Sequence, residues 1–127
     1  MPTGRIIGRV AEGLLLGFWL TSGTATPTAP PSAAAKLNLE ARSLLRSDPN
    51  QAQALAQQAL LAAQRDLDVA AEVGARINLG AVERQRGRHD QAVIEFERAV
   101  ALARDLPQRK LYADALANLG ISLDLGG

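Results

Sequence analysis

Cysteine is absent from the 127 residues, and histidine occurs once, at His89. The first absence excludes disulfides, thiolate nucleophiles, thiolate zinc sites and a cysteine-linked lipid anchor. The second excludes metal sites built on paired histidines. Aromatics make up only 3% of the chain: one Trp, one Tyr and two Phe. Sheet cores draw on aromatic and β-branched side chains, so this shortage argues against a sheet sandwich. Charge of one sign is also lacking. Formal net charge is +1, and setting Arg5, Arg9 and Glu12 aside with the amino-terminal segment leaves 12 basic and 12 acidic residues of 14 and 13. Nucleic-acid surfaces carry a basic excess, so no nucleic-acid partner is expected. No glycine-rich phosphate loop follows a strand, and neither a cofactor nor a metal is implied.

What the chain does have is alanine, the largest share of a 47% hydrophobic content. Alanine is the best helix former and leaves little side chain between helix axes, so closely packed helices are expected. The length allows one domain at most.

Residues 1–25 have the three-part form of a secretory signal: Arg5 and Arg9, then the apolar run Leu14 to Leu20, then small residues to Ala25. Val10 to Leu20 is only 11 residues and contains Glu12, short of the roughly 20 apolar residues a spanning helix needs. A cleaved signal, an uncleaved anchor holding the membrane through residues 5–25, and a soluble chain with a misread start are the readings open to this pattern. Either of the first two places the rest outside the cytoplasm, in the periplasm of a bacterium. Residues 26–33 are a Pro/Thr/Ser-rich linker that no helix crosses, with Ser32 as the next N-cap.

Beyond it, apolar periodicity predicts helices over about 33–46, 51–65, 69–86, 91–105 and 109–125. The expected inward residues are Leu37, Ala41, Leu44 and Leu45, then Ala52, Leu55, Ala56, Ala59, Leu60 and Ala63. The third helix offers Val69, Val73, Ile77, Leu79 and Val82. The fourth offers Ala92, Val93, Phe96, Ala99, Val100 and Ala103, and the last Leu111, Leu116, Leu119 and Leu123. Asn50 and Asp90 are the expected caps of the second and fourth helices, and Gly87 is the expected left-handed turn residue.

The helices repeat. Asn38-Leu39-Glu40, Asn78-Leu79-Gly80 and Asn118-Leu119-Gly120 recur at a stride of 40 residues. Ala52, Ala56, Ala59 and Ala63 likewise correspond to Ala92, Phe96, Ala99 and Ala103, so both halves of the unit agree.

On these residues the unit resembles the tetratricopeptide repeat, in a long form of about 40 residues similar to bacterial variants. The repeat-defining positions are Leu79, Gly80, Gly87, Ala92, Phe96 and Ala99, with Leu119 and Gly120 in the next unit. There are departures. Arg76 and Leu116 stand where tryptophan is usual, Glu83 and Leu123 where tyrosine is usual, and unit one has Glu40 for glycine and Ala56 for the aromatic. The resemblance implies an all-α fold of antiparallel helix-turn-helix repeats in a short α-solenoid. The units are about 34–68, 69–108 and an incomplete 109–127, two and a half in all.

The resemblance further implies a non-catalytic scaffold that binds a protein or peptide through the concave face of its first helices. Ile77, Ala81, Arg84 and Gln85 would face that groove, with Ala117, Ile121, Asp124 and Leu125 from the next unit. Asn38, Asn78 and Asn118 are expected to bond between helices rather than to a ligand. His89 sits beside Asp90, but a triad needs a positioned nucleophile and an oxyanion site, so packing at the turn is the expected role. Arg84, Arg86 and Arg88 complement a helix dipole or form the rim of an anion site. Leu116, Leu119 and Leu123 lack a second-helix partner, which leaves the last helix as a surface for self-association. It is also, and more readily, the mark of a reading frame cut from a longer chain. The alternative function is then the amino-terminal extracytoplasmic sensor region of a larger signalling protein, a histidine kinase, cyclase or regulator.

Overall fold

The computed structural model describes residues 30–126. The expected signal or anchor at 1–25 lies outside the described residues, as does most of the linker. Five helices follow one another: α1 Ala33–Ser43, α2 Pro49–Arg65, α3 Val69–Gln85, α4 His89–Ala103 and α5 Arg109–Gly126. No strand occurs among the described residues.

Each helix packs on the next, and α3 also packs on both α1 and α5, whereas α2 and α4 do not touch. The chain therefore forms a fan. The odd-numbered helices make a continuous inner row, and the even-numbered ones splay outside it. This is the helical repeat array that the periodicity predicts.

Alanine sets the spacing. Ala52, Ala56, Ala59 and Ala63 of α2 and Ala92, Ala99 and Ala103 of α4 are all buried. Val73, Ala99, Ala103 and Ala115 join α3, α4 and α5, with Ile77, Val100 and Leu111 packed around them. Ala41, Leu55 and Ala56 hold the first pair together, with Leu37, Leu44 and Leu79 against them. Among the described residues Phe96 is the one fully buried aromatic, and it lies against Gly80 of α3.

Where one helix ends and another begins differs in detail from the sequence expectation. Helix α1 stops at Ser43, three residues early, because Leu44 takes the cap position and Leu44 to Ser47 form the turn. The α2 cap is Asp48, not Asn50: the Asp48 carboxylate accepts from the Gln51 amide at 3.1 Å. Pro49 then occupies the first helical position, where its missing N–H removes no bond. Asn50 instead accepts a hydrogen bond from Arg86.

Asp68 caps α3 through the Ala71 amide at 3.0 Å, and Ser32 caps α1 as expected, accepting from Ala35 at 3.1 Å. Asp90 does not cap α4. Gly87, at φ 78, turns the chain so sharply that Arg88 already holds the cap position, without a side-chain bond. Asp90 is the second residue of α4, within the first turn, where the helix dipole favours its carboxylate. Val69 is 37% exposed rather than buried, because it is the first residue of α3 and precedes the inward stripe. Leu116 and Leu123 are likewise exposed, and the buried residues of α5 are Ala115 and Ser122.

Candidate peptide-binding groove

The inner row encloses a groove of about 740 Å³ along α1, α3 and α5, in the size range of sites that take ligands. Its floor is small and apolar, set by Ala35, Gly74, Ile77 and Ala81, with Leu39 and Leu111 at its sides. The floor is low for a reason. A Cβ on Gly74 would lie 2.9 Å from Asn38 Nδ2, so glycine lets α1 and α3 approach.

Two asparagines fix that approach. Asn78 Nδ2 donates to the Asn38 carbonyl at 3.1 Å, and Asn38 Nδ2 donates to the Ala71 carbonyl at 2.9 Å. Residues one stride apart are thus bonded across successive inner helices, as expected of them. Asn118 departs from this, donating to the Asp114 carbonyl of its own helix at 2.8 Å.

The charged groups along the groove divide sharply. Asp68 caps α3 and accepts from the Ser32 hydroxyl at 3.2 Å. Asp114 pairs with Lys110 at 2.9 Å. Both acids are committed. The side chains of Arg84 and Arg42 have no hydrogen bond or ion pair among the described residues. The Arg84 guanidinium lies over the Phe96 ring, 5.3 Å from its centre, where a cation gains from the ring face. Its Nη1 is buried without a partner, and burial pushes its pKa below the usual guanidinium value.

The three arginines at the end of α3 therefore part company. Arg86 reaches Gln53 at 2.8 Å and Asn50, tying α3 to α2, and lies 3.7 Å from Glu83. Arg88 pairs with Glu83 at 3.3 Å. Only Arg84 lines the groove.

Of the residues expected to face the groove, Ile77, Ala81 and Arg84 line it. Gln85, Ala117, Ile121, Asp124 and Leu125 are exposed outside that lining. From α5 the lining takes Leu111, Asp114 and Asn118 instead. These match Ala71, Gly74 and Asn78 on the repeat stride, the flank that looks back toward α3. The stripe bearing Ala117, Ile121 and Asp124 has no described helix across from it. Sequence periodicity names the face of a helix, but not how far the row turns from one unit to the next.

A smaller hollow lies between the start of α4 and the end of α5, lined by His89, Asp90, Val93, Ile94, Ser122 and Leu123. It brings His89 and Ser122 to one place, which their separation in sequence conceals. The buried Ser122 Oγ and His89 Nδ1 both lack a hydrogen-bond partner. A serine without a base bonded to it is not an activated nucleophile. Among the described residues no cluster of three or more His, Asp or Glu side chains could hold a metal ion. No described helix is long and apolar enough to cross a membrane.

The family model of the tetratricopeptide repeat matches residues 71–127, from the inward stripe of α3 through α5. Residues 71–127 are tetratricopeptide repeats. Neither the curated proteins nor the solved structures contain a match to the chain.

The tetratricopeptide pattern makes sense of the packing. Ala92, Phe96 and Ala99 are fully buried, and Gly80 has no room for a side chain because the Phe96 ring fills its place. Where the pattern usually has tryptophan, Arg76 donates to Glu72 within α3 and to Glu95 on α4, both at 3.1 Å. A shielded ion-pair network here replaces an aromatic contact. Leu116, the next residue on that stride, is 42% exposed.

Proposed function

We propose that the chain is a non-catalytic tetratricopeptide scaffold whose inner helix row binds a segment of another protein. Interaction modules of this family are the general case, and the observation that carries the reading here is the groove itself. It is apolar along its floor, walled by three successive inner helices, and about 740 Å³ in volume. Sites of that size and character bury a ligand's apolar side chains while a few polar groups orient it.

Site-specific photocrosslinking in the native cell tests this. A benzophenone side chain at Ile77 or Ala81 is expected to capture a protein partner, whereas one at Leu61, 68% exposed on the outer helix α2, is not. Equal capture from both faces would refute the groove as the binding surface.

Export belongs to the same proposal and is supported by the amino-terminal pattern, with its basic start, apolar run and small residues before Thr26. Amino-terminal sequencing of the protein from a periplasmic fraction is expected to begin near Thr26, and an uncleaved chain in the membrane fraction would indicate the anchor. Self-association through the exposed leucines of α5 is the corresponding proposal for that helix, read by sedimentation across a tenfold concentration range. The sensor reading makes the same groove the input of a larger signalling protein. Sequencing the DNA downstream of the Gly127 codon separates the two.

A further inference from the structure

The groove's charges point to the chemistry of what it holds, taking the groove as the binding surface. We propose that its occupant is an acidic segment, in which side-chain carboxylates set among apolar residues meet Arg84 and Arg42.

The two acids of the groove are already satisfied within the chain, Asp68 by the α3 amides and Ser32, Asp114 by Lys110. The two arginines are not, among the described residues. What the groove offers to a partner is therefore positive, although the chain as a whole is close to neutral. Arg84 is the more telling. It is half-buried, its Nη1 has no acceptor among the described residues, and its guanidinium lies over the Phe96 ring. A buried donor left without a partner is unfavourable unless something supplies the acceptor. A planar guanidinium already fixed in place loses little freedom when a carboxylate binds it. Arg86 and Arg88, equally basic in sequence, are spoken for by Gln53, Asn50 and Glu83.

Position makes the case for side-chain carboxylates. Arg42 and Arg84 stand near the carboxyl ends of α1 and α3, and these two helices pack side by side. Axes of packed helices lie about 8–10 Å apart. An extended chain crossing the row covers that distance in about three residues. A chain terminus supplies one carboxylate, so two cations at this spacing call for at least one Asp or Glu within the segment. Leu39, Ile77 and Ala81 take the apolar residues between.

The test pans a random dodecapeptide phage library against the full chain, then measures the selected peptides, fluorescein-labelled, by anisotropy. Selected peptides are expected to be enriched in Asp and Glu beside apolar residues. Arg84→Gln should weaken binding about tenfold or more, as for loss of a charge-assisted hydrogen bond. Arg42→Gln, on an exposed residue, should weaken it as well, and both losses should shrink as salt rises. Thermal melts of each variant show whether the fold is intact. Selection of purely apolar or basic peptides that lose binding in Ile77→Glu would overturn the acidic occupant and leave the groove standing. Selected peptides indifferent to Ile77→Glu would overturn the groove reading, and this inference with it. Acidic peptides indifferent to both arginine substitutions would overturn the assignment of the carboxylate to Arg84 and Arg42.

Discussion

A methyl group on Gly80 would lie 2.6 Å from Phe96 Cε1. No real pair of unbonded carbons comes so close, so the glycine and the ring are one device: the missing side chain of α3 is the seat of the aromatic of α4. Gly80→Ala should destabilise the fold by about 1–3 kcal/mol by overpacking, although alanine is the better helix former. Phe96→Ala should cost about 3–5 kcal/mol. The double variant should cost clearly less than the two together, since the ring that alanine strikes is gone. Urea unfolding followed by circular dichroism measures all three. A neutral Phe96→Ala would remove the repeat register.

Gly120 is the counterpart of Gly80 one stride on, and nothing lies within 4 Å of where its side chain would be. Gly120→Ala should therefore stabilise the chain by about 0.5–1 kcal/mol, the intrinsic helix preference of alanine. The two glycine substitutions should thus move the urea midpoint in opposite directions. Movement in the same direction would contradict the packing described for α3 and α4.

Leu67 joins α2 to α3 at φ 55 and is 85% exposed. A left-handed backbone costs a branched L-residue about 1–2 kcal/mol, and the side chain gains nothing from packing. Leu67→Gly should raise the melting temperature, with a net gain up to about 1 kcal/mol after the added freedom of the unfolded chain is counted. Leu67→Val should lower it.

Ser122 is fully buried and its hydroxyl has no partner. The repeat stride places it where α3 has Val82, also fully buried. Ser122→Val should stabilise the fold by about 1 kcal/mol by removing an unsatisfied polar group. Calorimetry would show it, and a loss of stability would mean that the hydroxyl has an acceptor after all.

Asn78 and Asn118 occupy the same place in successive units but bond differently, one across helices and one within its own. Asn78→Ala should cost about 1 kcal/mol, and Asn118→Ala should stay within about 0.5 kcal/mol, as for a surface change. Equal effects would remove the special role of the inter-helix bond.

The parts of the fold that repeat were legible from sequence, and the parts that depend on a single turn were not. Alanine spacing marks the buried faces of α2 and α4 directly, and Gly80 and Phe96 mark how α3 meets α4. The caps were harder. Asp48 and Asn50 are both good capping residues, and only Pro49 between them, preferring the first helical position, tells them apart. Asp90 looked like a cap because nothing local shows how far Gly87 swings the chain. In the groove, Ile77, Ala81 and Arg84 follow from position within the unit. The flank that α5 presents does not, since it depends on the small rotation between units, and neither does the separation of Arg84 from Arg86, which a run of similar residues conceals.

The fan carries a mechanical consequence. Because α2 and α4 do not touch, the outer side of the array has no latch. Changing the angle between those two helices bends the inner row, and the bend falls on the α1–α3 contact where the asparagine bonds lie. The curvature of the row, and with it the width of the groove, is thus set from the inner side, by the two asparagines that join α1 to α3.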